Sequence, residues 1–169
     1  YKVNEFMSID ISSRRNLEIT ETLREKSKKG SLLWVLDKTE TAMGGRMLKK
    51  WVEQPLIDKD LICQRLDAVE ELKNKFMVRS ELRELLDGIY DIERLAGKIA
   101  LGTVNARDLV SLRASLSKLP SITAILKDCN AEMLRNGLAN IDLLNDLKEL
   151  LDRSLVDEPP LSVKEGGII

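Results

Sequence analysis

The sequence of 169 residues contains no histidine and only two cysteines, Cys63 and Cys129. Histidine is the commonest general base near neutral pH and the commonest zinc ligand, so its absence removes the usual centre of both chemistries. The two cysteines form no Cys-x-x-Cys pair, which favours free thiols in a reducing compartment. We therefore expect no catalytic residue and no metal site in this chain, and we predict a cytoplasmic location.

A phosphate-binding loop and a long apolar run are also missing. Gly97-Lys98 is the only Gly-Lys pair, but Ile99 follows it and Ile92 occupies the position of the first glycine. That loop requires Gly, four residues, Gly-Lys and then Ser or Thr, so no nucleotide can be held by this mechanism. No uninterrupted apolar run approaches the roughly 20 residues that cross a bilayer, and we predict no membrane partner.

The residues that are present indicate a helical fold. Charged residues make up 33% of the chain and aromatic residues only 4%, and apolar residues recur at a spacing of 3.6. Alternating patterns at Met7–Ser12 and Leu17–Thr20 fit short strands with one buried face. We predict a mainly α protein, a compact multi-helix bundle or array with a small β element near the N-terminus.

Short polar signals predict where several helices begin and end. Ser31, Thr41, Asp58 and the Asn105/Asp108 pair precede apolar stripes and are suited to cap helix N-termini. Gly88 and Gly102 follow such stripes and should end helices, and Pro120 should begin a short one. The apolar stripe of the helix after Asp58 contains Ile62, Leu66 and Val69, and a last helix carries Leu143 to Leu151.

Positive charge is concentrated near the N-terminus. Residues 14–50 hold ten Lys/Arg and five Asp/Glu, a net charge of +5, whereas residues 51–169 hold sixteen and twenty-one, a net charge of −5. Clustered cations of this kind contact duplex phosphates, but the pattern favours a solvated loop balanced by Glu21 and Glu25. The candidate DNA-backbone contacts are Arg14, Arg15, Lys28 and Lys29.

Two further features lie in the same region. Trp34 and Trp51 fall within apolar helical stripes, which favours core packing over a ligand box. Gly44-Gly45 lies inside a predicted helix and suggests either a closely packed neighbouring backbone or a kink.

An ordered string of residues spans most of the chain. It resembles the core domain of the MutS family, the mismatch sensors of bacterial DNA repair. Its first part comprises Ile9-Asp10, residues 14–20, residues 30–37, residues 41–46, Leu48 and residues 51–57. Its later part comprises residues 65–70, residues 91–95, residues 98–100, residues 105–109, Pro159-Pro160 and residues 165–167.

The resemblance implies a partial core domain over residues 1–169, excised from a longer protein. Residues 1–22 would be a short strand-containing segment, residues 31–155 a helical bundle, and residues 156–169 a tail toward a lever helix outside the chain. The implied role is structural and allosteric, between a DNA clamp, mismatch-reading parts and an ATPase. The alternative is a free-standing helical protein-interaction module.

The cofactors and partners of the full-length protein also follow from the resemblance alone. They would be ATP and Mg, mismatched double-stranded DNA, a second MutS subunit and a MutL-type partner. The family's mismatch-wedging phenylalanine and its ATP-binding residues have no counterparts here, so no catalytic, cofactor-binding or metal-binding residue is assigned to this chain.

Overall fold

The computed structural model describes residues 5–160 and Gly166, and this part of the chain is mainly helical, as predicted. It divides into two compact units, unit 1 (Tyr1–Glu70) and unit 2 (Glu71–Ile169), with the boundary inside a continuous helix. The helices are α1 (Ile11–Asn16), α2 (Leu32–Leu36), α3 (Ala42–Glu53), α4 (Lys59–Asn74), α5 (Phe76–Asp87), α6 (Ile92–Ala100), α7 (Ala106–Leu126), α8 (Glu132–Ala139) and α9 (Asn145–Ser154).

In unit 1, helices α2, α3 and α4 begin at the N-caps predicted from the sequence. The Ser31 hydroxyl accepts from the Trp34 amide at 3.2 Å, and the Thr41 hydroxyl accepts from the Gly44 amide at 2.9 Å. Asp58 Oδ1 accepts from the first amides of α4. Each bond satisfies a donor that has no partner within its own helix. Helix α2 then packs on α3, with Leu33 buried.

The predicted β element near the N-terminus is wrong for residues 5–160. The structure has there a single antiparallel bridge between Phe6 and Leu56, and no strand pair. Where alternation predicted a strand, the Asp10 carboxylate accepts from the Ser13 amide at 2.9 Å and starts α1. A local side-chain cap thus outweighs a short alternating pattern, since a strand needs a partner and a cap needs only the next turn.

Unit 2 is built around α7, which packs against α5, α6, α8 and α9. The Asn105/Asp108 capping box predicted from the sequence is present at its N-terminus. Ser115 is fully buried, and its hydroxyl accepts from the Tyr90 amide at 3.0 Å and donates to the Ser111 carbonyl at 2.8 Å. The core cluster consists of Leu95, Leu112, Leu116 and Leu151.

Pro120 lies inside α7 and does not begin a separate helix, so that prediction is wrong. An interior proline removes one helix hydrogen bond and costs about 3 kcal/mol or more in an isolated helix. Leu116 before it and Ile122 after it are both buried, and this packing on either side offsets the loss. By length and composition alone, α7 is also apolar enough to cross a membrane, although it is the central helix of unit 2 here.

Helix α8 receives its N-terminal cap from a distant part of unit 2. Glu71 carboxylate oxygens accept from the Asn130 amide at 2.8 Å and the Ala131 amide at 2.7 Å. Lys75 Nζ lies 2.8 Å from the same carboxylate and donates to the Asp128 carbonyl at 2.6 Å. The hydrogen bond from Lys75, then those from the two amides, lower the pKa of Glu71 to about 2.

Candidate functional site

The four candidate DNA-contacting cations occupy different environments in unit 1. Arg14 is half-buried, and its Nε donates to the Ile9 carbonyl at 3.1 Å. Lys28 forms an ion pair with the Asp37 carboxylate. Arg15 and Lys29 are exposed to solvent. Two of the four side chains therefore hold the fold together locally, and phosphate contact by any of them stays a prediction.

The loop that carries Lys28 and Lys29 is ordered by its own hydrogen bonds. The Thr22 amide donates to the Ser27 carbonyl at 2.9 Å, and the Lys26 amide donates back to the Thr22 carbonyl at 3.1 Å. The buried Ser31 hydroxyl donates to the Lys28 carbonyl at 2.7 Å while it caps α2. Loop and helix are thereby joined through one hydroxyl group.

Asp37 completes this arrangement at the end of α2. The hydrogen bond from Lys28, and then that from the Thr39 hydroxyl, lower the pKa of Asp37 to about 2. A surface cavity of about 370 Å³ lies beside the pair, and its lining includes Lys28, Arg46 and Lys49. The site is cationic, but Asp37 neutralises Lys28 and Glu53 lies 3.9 Å from Lys49.

Several apolar side chains predicted to lie in a core face solvent instead. On α4, Leu66 is 60% exposed and Val69 is 62% exposed, although both belong to the predicted stripe. Trp34 on α2 is 46% exposed, so core packing is wrong for it. Trp51 is half-buried, and the guanidinium carbon of Arg65 lies over its ring, 3.8 Å from the ring centroid. Periodicity identified the apolar faces correctly, but it carries no information on whether another element covers them.

The glycine pair of α3 lies against threonine hydroxyls and not against a neighbouring backbone. A Cβ at Gly44 would approach the Thr41 Oγ1 to 3.0 Å, and one at Gly45 would approach the Thr39 Oγ1 to 3.3 Å. The close packing is therefore with the N-cap and the preceding loop, and α3 runs through both glycines as a single helix.

Two arginines of α7, which the sequence patterns did not single out, bind the segment that follows α9, residues 155–160. Arg113 donates to the Leu155 carbonyl at 3.3 Å and to the Asp157 carboxylate at 2.8 Å. Arg107 Nε donates to the Pro159 carbonyl at 3.1 Å. Each arginine lies within an amphipathic helix whose charged side chains all look alike in sequence, so no local signal marked these two.

Within residues 5–160, no group of three or more Cys, Asp or Glu side chains is placed to hold a metal ion. The described residues thus show a cationic loop in unit 1 and, in unit 2, a helical core to which residues 155–160 are attached.

Comparison with known proteins connects these features to one family. Residues 12–169 match the family model described as MutS domain III. The chain is 60% identical over 169 residues to the DNA mismatch repair protein MutS of Ruminiclostridium cellulolyticum, 57% to that of Clostridium novyi and 54% to that of Acetivibrio thermocellus. Each alignment covers 100% of this chain but only 19% of the relative, so the chain spans about a fifth of their length. The chain therefore belongs to the MutS family, in which it corresponds to domain III.

Proposed function

We propose that this chain is the structural and allosteric core segment of a DNA mismatch-recognition ATPase and is itself non-catalytic. In this role it links the DNA clamp and the mismatch-reading parts to the ATPase. The partners of the full-length protein are mismatched double-stranded DNA, a second MutS subunit and a MutL-type protein. ATP and Mg bind outside this segment, and the protein works in the cytoplasm. The family match and the relatives' name support this proposal.

The observation that carries the proposal is the organisation of unit 2 around one long helix. Helix α7 has 21 residues, about 30 Å at the rise of an α-helix, and four other helices pack along it. Leu116, at its middle, is 1% exposed. Densely packed interiors move between discrete arrangements and deform little, so a displacement applied to one end of α7 moves its neighbours as a body.

The proposal is tested in the full-length protein that contains this segment. Leu112→Ala loosens the core of unit 2, and Leu101→Ala removes the same atoms at a position that is 79% exposed. Mismatch affinity, ATP affinity and the mismatch-dependent change in ATP turnover are measured separately, below the melting temperature of both variants. Leu112→Ala should reduce the mismatch-dependent change while both affinities persist, and Leu101→Ala should resemble the parent protein. An undiminished mismatch-dependent change in Leu112→Ala would reject the coupling role.

The exposed apolar side chains distinguish this proposal from a free-standing interaction module. A segment covered by other parts of a longer protein leaves apolar side chains in water when it is alone, and Leu66 and Val69 on α4 are such residues. We expect the 169-residue chain to associate through this surface as its concentration rises. Light scattering over a dilution series checks this, and a chain that stays monomeric at high concentration would favour the module.

A further inference from the structure

We propose that Arg107 and Arg113 are positioning residues that fasten the outgoing chain, residues 155–160, to α7. Through these two attachments, movement would pass between the helical core of unit 2 and the polypeptide that follows. The inference rests on the proposed coupling function and deepens it, because it names the residues at which the displacement leaves this segment.

Arg113 makes the first attachment through two nitrogen atoms of its guanidinium group. Its NH1 donates to the Leu155 carbonyl at 3.3 Å, and its NH2 donates to Asp157 Oδ1 at 2.8 Å. Its Nε lies 3.9 Å from an Asp152 carboxylate oxygen at the end of α9. The side chain is only 14% exposed, so its removal would leave the Leu155 carbonyl without this donor. Lysine lacks this planar fork and cannot reproduce both bonds at once.

Arg107 makes the second attachment, one and two-thirds turns earlier on α7. Its Nε donates to the carbonyl of Pro159, a buried residue. The outgoing chain is therefore held at Leu155 by Arg113 and at Pro159 by Arg107, so it runs antiparallel to α7. Two attachments restrain the direction of the segment as well as its position.

The spacing of the attachments limits the movement of the outgoing chain. The two arginines are six positions apart on α7, about 9 Å along the helix axis. The two carbonyls are four positions apart, and the segment between them spans at most about 14 Å when fully extended. The segment can therefore move only a few ångströms from α7 before both attachments come under tension. A surface cavity of about 380 Å³ lies beside the attachments, and its lining includes Arg107, Asp157 and Pro159.

The test uses the full-length protein with Arg113→Ala, Arg107→Ala, the double variant and Arg113→Lys. Arg135→Ala is the matched control, since it removes an equal charge from an exposed position on α8. The readout is the ratio of ATP turnover with mismatched and with matched duplex, measured beside both binding affinities. In the double variant, we expect this ratio to change by about two- to thirtyfold toward one, while both binding affinities are retained. Arg113→Lys should recover only part of the loss, and Arg135→Ala should leave the ratio unchanged.

A second measurement separates attachment from general stability. Proteolytic cleavage within residues 155–158 should accelerate in Arg113→Ala, while amide hydrogen exchange in the core of α7 stays slow. Asp157→Asn provides a variant that should fold normally, because Asp157 is 94% exposed. It should reduce the same ratio, but by less than Arg113→Ala does. Faster exchange throughout unit 2, or an unchanged ratio in both the double variant and Asp157→Asn, would overturn the inference. If Leu112→Ala then still reduces the ratio, the attachment is wrong and the coupling function stands; if it does not, both are wrong.

Discussion

Unit 1 and unit 2 bury their apolar residues to very different degrees. In unit 2, four leucines from α6, α7 and α9 form one cluster, and five more apolar side chains pack against it. In unit 1, the described buried residues are few and scattered: Ile19, Ser31, Leu33 and Ala68. Unit 1 instead depends on caps and loop hydrogen bonds, and exposes apolar side chains on α2 and α4. One family domain thus contains a part with its own core and a part organised mainly by local bonds.

This difference indicates how the two units obtain their stability. Burial of apolar area is the dominant favourable contribution to folding, whereas single hydrogen bonds contribute about 1 kcal/mol each. We therefore expect unit 2 to withstand more denaturant than unit 1 when the chain is studied alone. Both tryptophans, Trp34 and Trp51, belong to unit 1, so their fluorescence reports on that unit, and far-ultraviolet circular dichroism is weighted toward the helices of unit 2.

The largest effect is expected from Leu116→Ala in the core of unit 2. Loss of a buried leucine side chain should lower the free energy of unfolding by about 2–5 kcal/mol. The circular dichroism transition in urea should move strongly, and the tryptophan transition should move less. The exposed control Leu101→Ala should stay within about 0.5 kcal/mol of the parent. Equal shifts of both transitions would mean that the two units unfold as one.

The reverse pattern is expected for Ser31→Ala in unit 1. The substitution removes the cap of α2 and the hydrogen bond to the Lys28 carbonyl, and should cost about 1–2 kcal/mol. The tryptophan transition should shift while the circular dichroism transition stays close to its original midpoint. Ser12→Ala, at an exposed position in α1, serves as the control. No shift in tryptophan fluorescence would show that the loop does not depend on this hydroxyl.

Acid should lower the free energy of unfolding of each unit by protonating one carboxylate, that of Asp37 in unit 1 and that of Glu71 in unit 2. The pKa of Glu71 falls from 4.5 to about 2 and that of Asp37 from 3.8 to about 2, so each ionised group favours the folded state. These contributions are present above the unfolded pKa values and are lost as the pH falls toward 2. Glu71→Gln should reduce the acid sensitivity of the circular dichroism transition, and Asp37→Asn that of the tryptophan transition.

The control for this acid experiment is Glu84→Gln, at an exposed position on α5. It should leave the pH dependence of both transitions as in the parent. Retention of the parent's full acid dependence in Glu71→Gln would contradict the assignment to the cap of α8.

The smallest effect is expected within the glycine pair of α3. Alanine favours a helix over glycine by about 1 kcal/mol, so Gly45→Ala should raise the stability of unit 1 slightly. Gly44→Ala should gain less or lose stability, because its Cβ would approach the N-cap oxygen of Thr41 to 3.0 Å. Urea midpoints from tryptophan fluorescence compare the two variants directly. A greater gain for Gly44→Ala than for Gly45→Ala would contradict this contact.

Much of the candidate site could not be predicted from the sequence, because it depends on contacts between residues that are distant along the chain. The basic residues were identifiable as a group, but the pairing of Lys28 with Asp37 depends on how the loop returns to α2. Arg107 and Arg113 resemble other charged residues of an amphipathic helix until residues 155–159 are placed beside them. Their partners lie 52 and 42 residues away in sequence, beyond the reach of any local pattern.

The sequence by itself determined the helical class, the family and many helix boundaries, because caps such as Ser31 and the Asn105/Asp108 pair act within three residues. The tertiary structure alone decided which apolar stripes became a core. Leu116 and Leu66 occupy similar helical patterns, yet one is 1% exposed and the other 60% exposed. It also decided that Pro120 stays inside α7 and that Glu71 caps α8. Burial and long-range hydrogen bonds depend on elements distant along the chain, whereas a cap depends only on its own turn.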